Sequence, residues 1–455
     1  MSTDKLAATI DTIVTAALER QHLPGISLAV ARAGEILFAG GFGYRNVGEA
    51  LPADADTIYS IASISKQFTA AAIMRLAERG LLRIDDPVDR YFPQNPYGDR
   101  VTLRHLLTHT SGIPDYFPLE ELDRLAFTEA SPGEIIQCVA HRGATFAPGA
   151  EYQYCNTGYV MLGAIIERVA NQSYAHYLQT NFFDPLEMTR TGVDDTPAIH
   201  RNLAIGYTSF VLGPWELARD YHPTWEFATG GLYSTVLDVL KWNRALRSGR
   251  VVGAASLALM TARARLGNGQ SLDYGFGLSV NDVDGLQEIR HTGGLPGIST
   301  DNATYPGAGI DIVAFVNHDS CSMYATVVRP ILALLHAQSP AASAREPALP
   351  MSSGLDERPW AQHWIRTAAA GGIGDLPLSA RFERFLNPGR RARFAELRAY
   401  GEITGIRLIE ASRRDPETAF SYRVDFERGP LVATLAVRDD GTLANLQFLR
   451  WDDRA

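Results

Sequence analysis

Ser63-Ile64-Ser65-Lys66 is the stretch that most restricts what this chain can fold into. Of its 42 basic residues only Lys5, Lys66 and Lys241 are lysines. Arginine stays protonated in proteins, whereas a lysine amine can be desolvated or crowded until it is neutral and takes up a proton. A serine three residues ahead of such a lysine on a helix shares a face with it. That arrangement activates a hydroxyl nucleophile without a histidine. The flanking residues agree with a strand-to-helix passage. Ile58-Tyr59-Ser60-Ile61-Ala62 is an apolar, strand-like run, and Phe68, Ala72 and Leu76 carry a helix that Gly80 can end. Ser2-Thr3-Asp4-Lys5 repeats the pattern at the chain tip without such a setting. A serine at a helix start is equally an N-cap, so the rest of the chain has to decide between cap and nucleophile.

With 455 residues, 46% hydrophobic and 20% charged, the chain has the composition of a soluble globular protein with room for one large domain and a small one. A net charge of −9, with no basic run interleaved with aromatics, argues against nucleic acid as a partner. No apolar run is long enough to span a bilayer. Leu6, Ile10, Ile13, Val14 and Leu18, set among Asp4, Asp11 and Glu19, read as an amphipathic surface helix, unlike a basic-then-apolar signal peptide. Cys138, Cys155 and Cys321 are distant and odd in number, which suggests neither a disulfide framework nor a zinc site. The expected location is the cytoplasm.

Ile26–Ala31 and Ile36–Gly40 read as a hairpin turning at Arg32-Ala33-Gly34-Glu35. Residues 63 to about 170 are mainly helical, and 197–230 are irregular and rich in aromatics. Strand signals return at Gly275–Val280, Thr300–Tyr305 and Ile310–Asn317, and an apolar helix follows over Met323–Ala337. This order predicts a sheet assembled from both ends of a domain with a helical insertion. Residues 338–356, bearing proline and serine, read as a linker. Beyond them, helices near 360–370 and 391–400 precede alternating strands that include Tyr422, Val424, Phe426 and Leu431, Ala433, Leu435, with a hairpin turn at Asp440-Gly441. The expected division is 1–337, linker 338–356 and a small α+β module over 357–455, which shows no constellation of catalytic type.

Three further features follow Ser63 in a fixed order. Tyr154-Cys155-Asn156 precedes an apolar-periodic helix through Tyr159, Leu162, Ile165, Ile166 and Val169. A phenol there can relay the nucleophile's proton, and an amide can grip a substrate carbonyl, although Asn156 alone would be an ordinary N-cap. His291-Thr292-Gly293-Gly294 lies beside strand residues, where glycines allow close backbone approach and a free N–H can serve an oxyanion hole. His105 and His109 have the i, i+4 spacing of helical zinc ligands. No glutamate lies between them and no third ligand is evident, so a core or wall role is favoured over metal.

The joint order resembles the penicillin-recognising serine hydrolase superfamily, in its class C β-lactamase and D-aminopeptidase branch. The family patterns S-x-x-K, Y-x-N and [KH]-[TS]-G match Ser63/Lys66, Tyr154/Asn156 and His291/Thr292/Gly293. IASISKQFTA, TLRHLLTHTSGIPDY and ATGGLYST are similar to family stretches. The resemblance covers roughly residues 5–337. It implies an α+β fold, a β-lactamase/transpeptidase-like antiparallel sheet flanked by helices with a helical subdomain, and a site between them. It also implies Ser63 as nucleophile, Lys66 as proton acceptor, Tyr154 in the relay, and an oxyanion hole from the N–H groups of Ser63 and Gly294. Asn156, His291, Gly293 and Gly294 are then substrate-binding residues. Lysine usually opens the third motif in β-lactamases and cell-wall carboxypeptidases, where its charge helps hold a substrate carboxylate. His291 replaces it here, as in D-aminopeptidase-like relatives. The expectation is a serine peptidase or amidase on small D-amino-acid-containing peptides or amides, needing no metal or organic cofactor. A carboxylesterase or transacylase is the alternative and a β-lactamase the third. A binding protein on a retired scaffold is the non-enzyme reading, disfavoured because Ser63, Lys66, Tyr154 and His291 occur together. The substrate would be a small molecule or short peptide; the sequence names no oligomeric state.

Overall fold

The computed structural model describes residues 3–93, 96–97, 100–117, 119, 122–193, 202–319, 321, 323–336, 358–414 and 417–450. The chain forms two compact units. One comprises Met1–Leu18, Leu23–Tyr207 and Leu217–Ala342; the other comprises Glu19–His22, Thr208–Glu216 and Ser343–Ala455. The second unit therefore includes two short segments from far earlier in the chain, which the expected single boundary did not contain. The linker expected at 338–356 lies outside the described residues.

The first unit is built on a seven-stranded sheet. Its strands are β1 (Gly25–Arg32), β2 (Glu35–Asn46), β3 (Leu51–Pro52), β4 (Ser279–Val283), β5 (Leu286–Leu295), β6 (Ile298–Tyr305) and β7 (Ile310–Val316), in the order β3-β2-β1-β7-β6-β5-β4. The pairings along it are antiparallel, and β1 meets β7 with Ile26 opposite Val316 and Arg32 opposite Ile310. The sheet thus joins both ends of the domain, as the order of sequence signals predicts. The hairpin between β1 and β2 turns at Ala33 and Gly34, both at positive φ, a twist suited to a two-residue connection.

Strand alternation sorts the core into two layers. Ile26, Leu28 and Val30 of β1, with Ile312, Ala314 and Val316 of β7, pack against helix α1 (Thr3–Arg20) and the helix Arg329–His336. Ala29, Ala31, Val313 and Phe315 face the opposite way, toward α2 (Ser65–Glu78) and the helical insertion. Every residue of α2 from Ser65 to Met74 is buried. Alanines 70 to 72 let neighbours approach closely, and three of the helix's polar side chains reach distant partners. Ser65 Oγ accepts the Leu232 N–H, Gln67 Oε1 accepts the Trp242 indole N–H, and Thr69 donates to the Ala228 carbonyl. Gly80 follows α2 at φ 71°, the expected helix stop.

One expected strand is corrected. Gly275–Leu278 is irregular, and only Ser279–Val283 is strand. A Cβ at Gly275 would lie 2.1 Å from the Met260 carbonyl oxygen. At Gly277, with φ 69°, it would lie 2.6 Å from the Lys66 carbonyl oxygen. The segment is glycine-bearing because backbone presses on backbone.

The second unit has a four-stranded antiparallel sheet of Ile403–Arg414, Glu417–Phe426, Gly429–Arg438 and Leu443–Arg450, in chain order. Phe420, Tyr422, Val424 and Phe426 point inward with Leu431, Ala433, Leu435, Leu446 and Phe448. Helices Pro359–Ala369 and Pro388–Glu396 supply Ile365 and Phe394 to this core, and the segment 208–216 supplies Phe210 and Val211. Gly441, at φ 81°, makes the predicted turn.

Candidate active site

The nucleophile candidate sits in a tight turn. Ala62–Ile64 form one turn of 3-10 helix ahead of α2, and Ala62 takes φ 48°, a left-handed conformation that a residue with a Cβ adopts only under constraint. The constraint comes from both sides. The Ile61 N–H donates to the Leu232 carbonyl, and Thr300 Oγ1 donates to the Ile61 carbonyl at 3.0 Å. Ser63 is therefore no N-cap. Its hydroxyl lies 3.0 Å from Lys66 Nζ, and it is half-exposed beside fully buried neighbours.

Lys66 Nζ has two other partners, Asn156 Oδ1 at 2.9 Å and the Thr229 carbonyl at 2.8 Å. Burial lowers its pKa from 10.5 to about 7, opposed by the charge of Asp115. Asn156 and Thr229 present only acceptor oxygens. A neutral amine has two hydrogens, and these two acceptors take both. The lone pair is then left for Ser63, the only one of the three partners with a proton to give.

That assignment depends on which way the Asn156 amide points, and Asp115 decides it. Asp115 Oδ1 accepts the Asn156 backbone N–H at 2.9 Å, and its Oδ2 accepts from Asn156 Nδ2 at 2.9 Å, so Oδ1 of the amide must face Lys66. The Thr157 N–H also donates to Asp115. Burial raises the Asp115 pKa while these donors hold it down. Asn156 is the first residue of helix α4 (Asn156–Ala170) but makes no capping bond, so the ordinary N-cap role does not apply. Its carbonyl oxygen is engaged by Lys66 here.

Tyr154 is half-buried, with its ring 4.9 Å from Lys66 Nζ. Burial pushes its pKa well above 10. Between the two groups at the serine, the amine near 7 is the better proton acceptor at neutral pH and the phenol the better relay.

The third motif lies at the end of β5, where pairing with β4 stops at Arg290 while pairing with β6 continues to Leu295. Residues 291–295 thus leave one backbone edge without a strand. A Cβ on Gly293 would come 2.4 Å from the Ile61 carbonyl oxygen and 2.8 Å from the Ala62 Cβ, so glycine is what lets this edge lie against the nucleophile turn. Gly294 faces open space. His291 is buried and its pKa falls to about 3, from burial first and then the nearby Lys66 charge. It is a neutral ring at physiological pH, where an unperturbed histidine would be partly charged.

His105 and His109 do not share a helix face. Helix α3 (Leu103–Leu107) ends before His109, which takes φ 58°. His105 Nδ1 accepts the Thr102 N–H at the start of that helix, and buried His109 hydrogen-bonds to Cys155 and Tyr274. Among the described residues no group of three or more histidine, cysteine or acidic side chains could hold a metal.

The structure therefore brings Ser63, Lys66 and Asn156 into one hydrogen-bonded cluster, with the Tyr154 ring beside the amine and the Gly293 edge against the serine's turn. Sequence reasoning did not give roles to Asp115, Tyr274 or the Thr229 carbonyl. Asp115 and Thr229 lie within stretches already similar to the family, GIPDY and ATGGL, and that was the available signal. Nothing local singled out Tyr274.

Comparison with known proteins agrees with this geometry. The family model described as Beta-lactamase matches residues 10–336. Penicillin-binding protein 4* of Bacillus subtilis (strain 168) is 34% identical over 301 residues, covering 62% of this chain and 65% of that protein. The chain thus spans about two thirds of the length of that relative. D-amino acid amidase from Ochrobactrum anthropi SV3, solved in complex with D-phenylalanine, is 26% identical, with TM-score 0.63 over 73% of this chain and 98% of that one. The octameric penicillin-binding protein homologue from Pyrococcus abyssi shares the fold over 98% of both chains, with TM-score 0.65 and 24% identity. No helix among the described residues is long and apolar enough to cross a membrane.

Proposed function

The chain belongs to the Beta-lactamase family, and on that footing we propose that it is a serine hydrolase that forms an acyl-enzyme on Ser63 and acts on small D-amino-acid-containing amides or peptides. The observation that carries this reading is the set of partners around Lys66, which leaves its lone pair for the Ser63 hydroxyl. Ser63 Oγ attacks the substrate carbonyl carbon as its proton passes to Lys66 Nζ. The Tyr154 phenol hands a proton to the leaving amine as the C–N bond breaks and recovers one from Lys66, which leaves the amine neutral again. Water then repeats the sequence on the ester, with Ser63 as leaving group. The backbone N–H groups of Ser63 and Gly294 are the proposed oxyanion donors.

Neutral His291 supports the choice of substrate. A site without a fixed cation at the third motif gains little from a carboxylate beside the scissile bond, which weakens the β-lactam and cell-wall readings. The amidase among the structural relatives favours an amide. An esterase or transacylase would use the same acyl-enzyme. A panel of D- and L-amino-acid p-nitroanilides, short-chain esters and a chromogenic cephalosporin separates them. Amide turnover with D preference is the expected result; turnover of esters alone moves the assignment to the second reading.

A further inference from the structure

Outside the Ser63–Lys66 cluster, the site contains three buried rings whose hydrogen bonds admit one arrangement of protons. The Cys155 N–H donates to His109 Nδ1 at 3.0 Å, so that nitrogen is bare and a neutral His109 carries its proton on Nε2. His109 Nε2 lies 3.2 Å from the Tyr274 hydroxyl, which accepts it. At the other end, His291 Nδ1 lies 2.6 Å from the Thr292 carbonyl oxygen, an acceptor only, so Nδ1 carries the proton of a neutral His291. His291 Nε2 is then bare, 3.0 Å from the Tyr274 oxygen, and takes the phenol's single proton. All the bonds run in one direction, from His109 through Tyr274 and His291 to Thr292.

Burial first, and then the nearby charge of Lys66, disfavours the cation of both histidines. His291 meets Lys66, Arg290, Tyr154 and Tyr274, and His109 meets Lys66, Tyr152, Tyr154 and Tyr159. Tyr274 itself is held in place by the close backbone packing of Gly275 and Gly277.

We propose that Tyr274 is a positioning residue for acyl transfer, tying the Tyr154-Cys155-Asn156 segment to the strand edge at His291-Thr292-Gly293. His291 holds the Thr292 carbonyl, and the peptide it belongs to leads directly into Gly293 and Gly294. Tyr274 thereby sets the edge that faces the substrate carbonyl without touching substrate. The proposal rests on the acyl-enzyme reading for its consequence in rate, though not for its hydrogen-bond pattern.

The test combines two readouts on the full chain. Long-range proton–nitrogen NMR of histidine-labelled protein, assigned with His291→Gln and His109→Gln, should find His291 in the Nδ1–H form and His109 in the Nε2–H form. Neither should titrate from about pH 5 to about pH 8. A fluorophosphonate forms a Ser63 O–P bond as fluoride leaves, and its phosphoryl oxygen occupies the oxyanion position. Tyr274→Phe should slow this labelling by about 10- to 100-fold and move the His291 Nε2 resonance to that of an unbonded acceptor. An Nε2–H tautomer on His291, already visible without any variant, overturns the proposal, as does wild-type labelling of Tyr274→Phe. Labelling that persists in Ser63→Ala sinks the acyl-enzyme reading instead, and the tautomers then judge the relay alone.

Discussion

The two units bury opposite kinds of surface. Around Ser63 the first unit buries Lys66, Gln67, Thr69, His109, Thr157 and His291, each held by hydrogen bonds, and all but His291 by partners more than 40 residues away in the chain. Among the described residues from 358 onward, tyrosines aside, Ser379 is the only buried polar one, and it caps the helix Ala380–Phe385. The second unit follows simple alternation, apolar in and polar out. Buried polar groups without partners are costly, so a chain retains a dense set of them where they position chemistry. The contrast places the candidate site in the first unit and assigns the second core to hydrophobic packing.

The largest effect should come from Ser63 and Lys66. Ser63→Ala should lower turnover by about 10⁶-fold, and Lys66→Arg nearly as much, because a permanent cation cannot accept the serine proton. Full activity in Lys66→Arg, measured as kcat/KM, would remove the amine from its role. Asp115→Ala should follow, with kcat down by about 100-fold, since the Asn156 amide is then free to turn its NH2 toward Lys66. Unchanged kcat would show that Asn156 is oriented by something else.

The second unit gives the converse test. Phe448→Ala, emptying a fully buried site in that core, should cost about 3–5 kcal/mol of that unit's stability. Calorimetry should register the loss while fluorophosphonate labelling of Ser63 in the folded protein stays at the wild-type rate. A coupled fall in labelling would break the division of roles.

A smaller effect concerns pH. Lys66 must be neutral to accept a proton, and its pKa lies at about 7. Activity should therefore be level above that value and fall about tenfold per pH unit below it. Neutral His291 should add no second ionisation near it. A single-ionisation acid limb in kcat/KM is the expected profile, and a steeper one would return His291 to the titrating groups.

His291→Lys should have the smallest effect on specificity, alongside a fall in rate on both substrates from losing the ring's bonds to Tyr274 and Thr292. It should raise activity toward a carboxylate-bearing substrate relative to its carboxamide by about 1 kcal/mol. An unchanged ratio in matched kcat/KM measurements would mean that the ring does not set specificity.

Several features were legible locally. The hairpin at Ala33-Gly34, the turn at Gly441 and the alternation over Tyr422–Phe426 follow from positive-φ residues and a period of two. Ser63 and Lys66, three residues apart on one turn, carry their own proximity. Tyr154 and His291 needed the order of motifs along the whole chain.

Tertiary structure alone decided the rest. The carbonyl that fills one side of Lys66 belongs to Thr229, 163 residues away, and Asp115 acts across 41 residues on Asn156. Nothing in local periodicity records such a pairing, because a hydrogen bond is specified by direction and distance in space. The i, i+4 spacing of His105 and His109 promised a shared helix face, and a positive φ at His109 cancelled it. Burial turned His291 from a partly charged ring into a neutral one. Desolvation depends on everything packed around a group, so its sign and size appear only once the chain has folded.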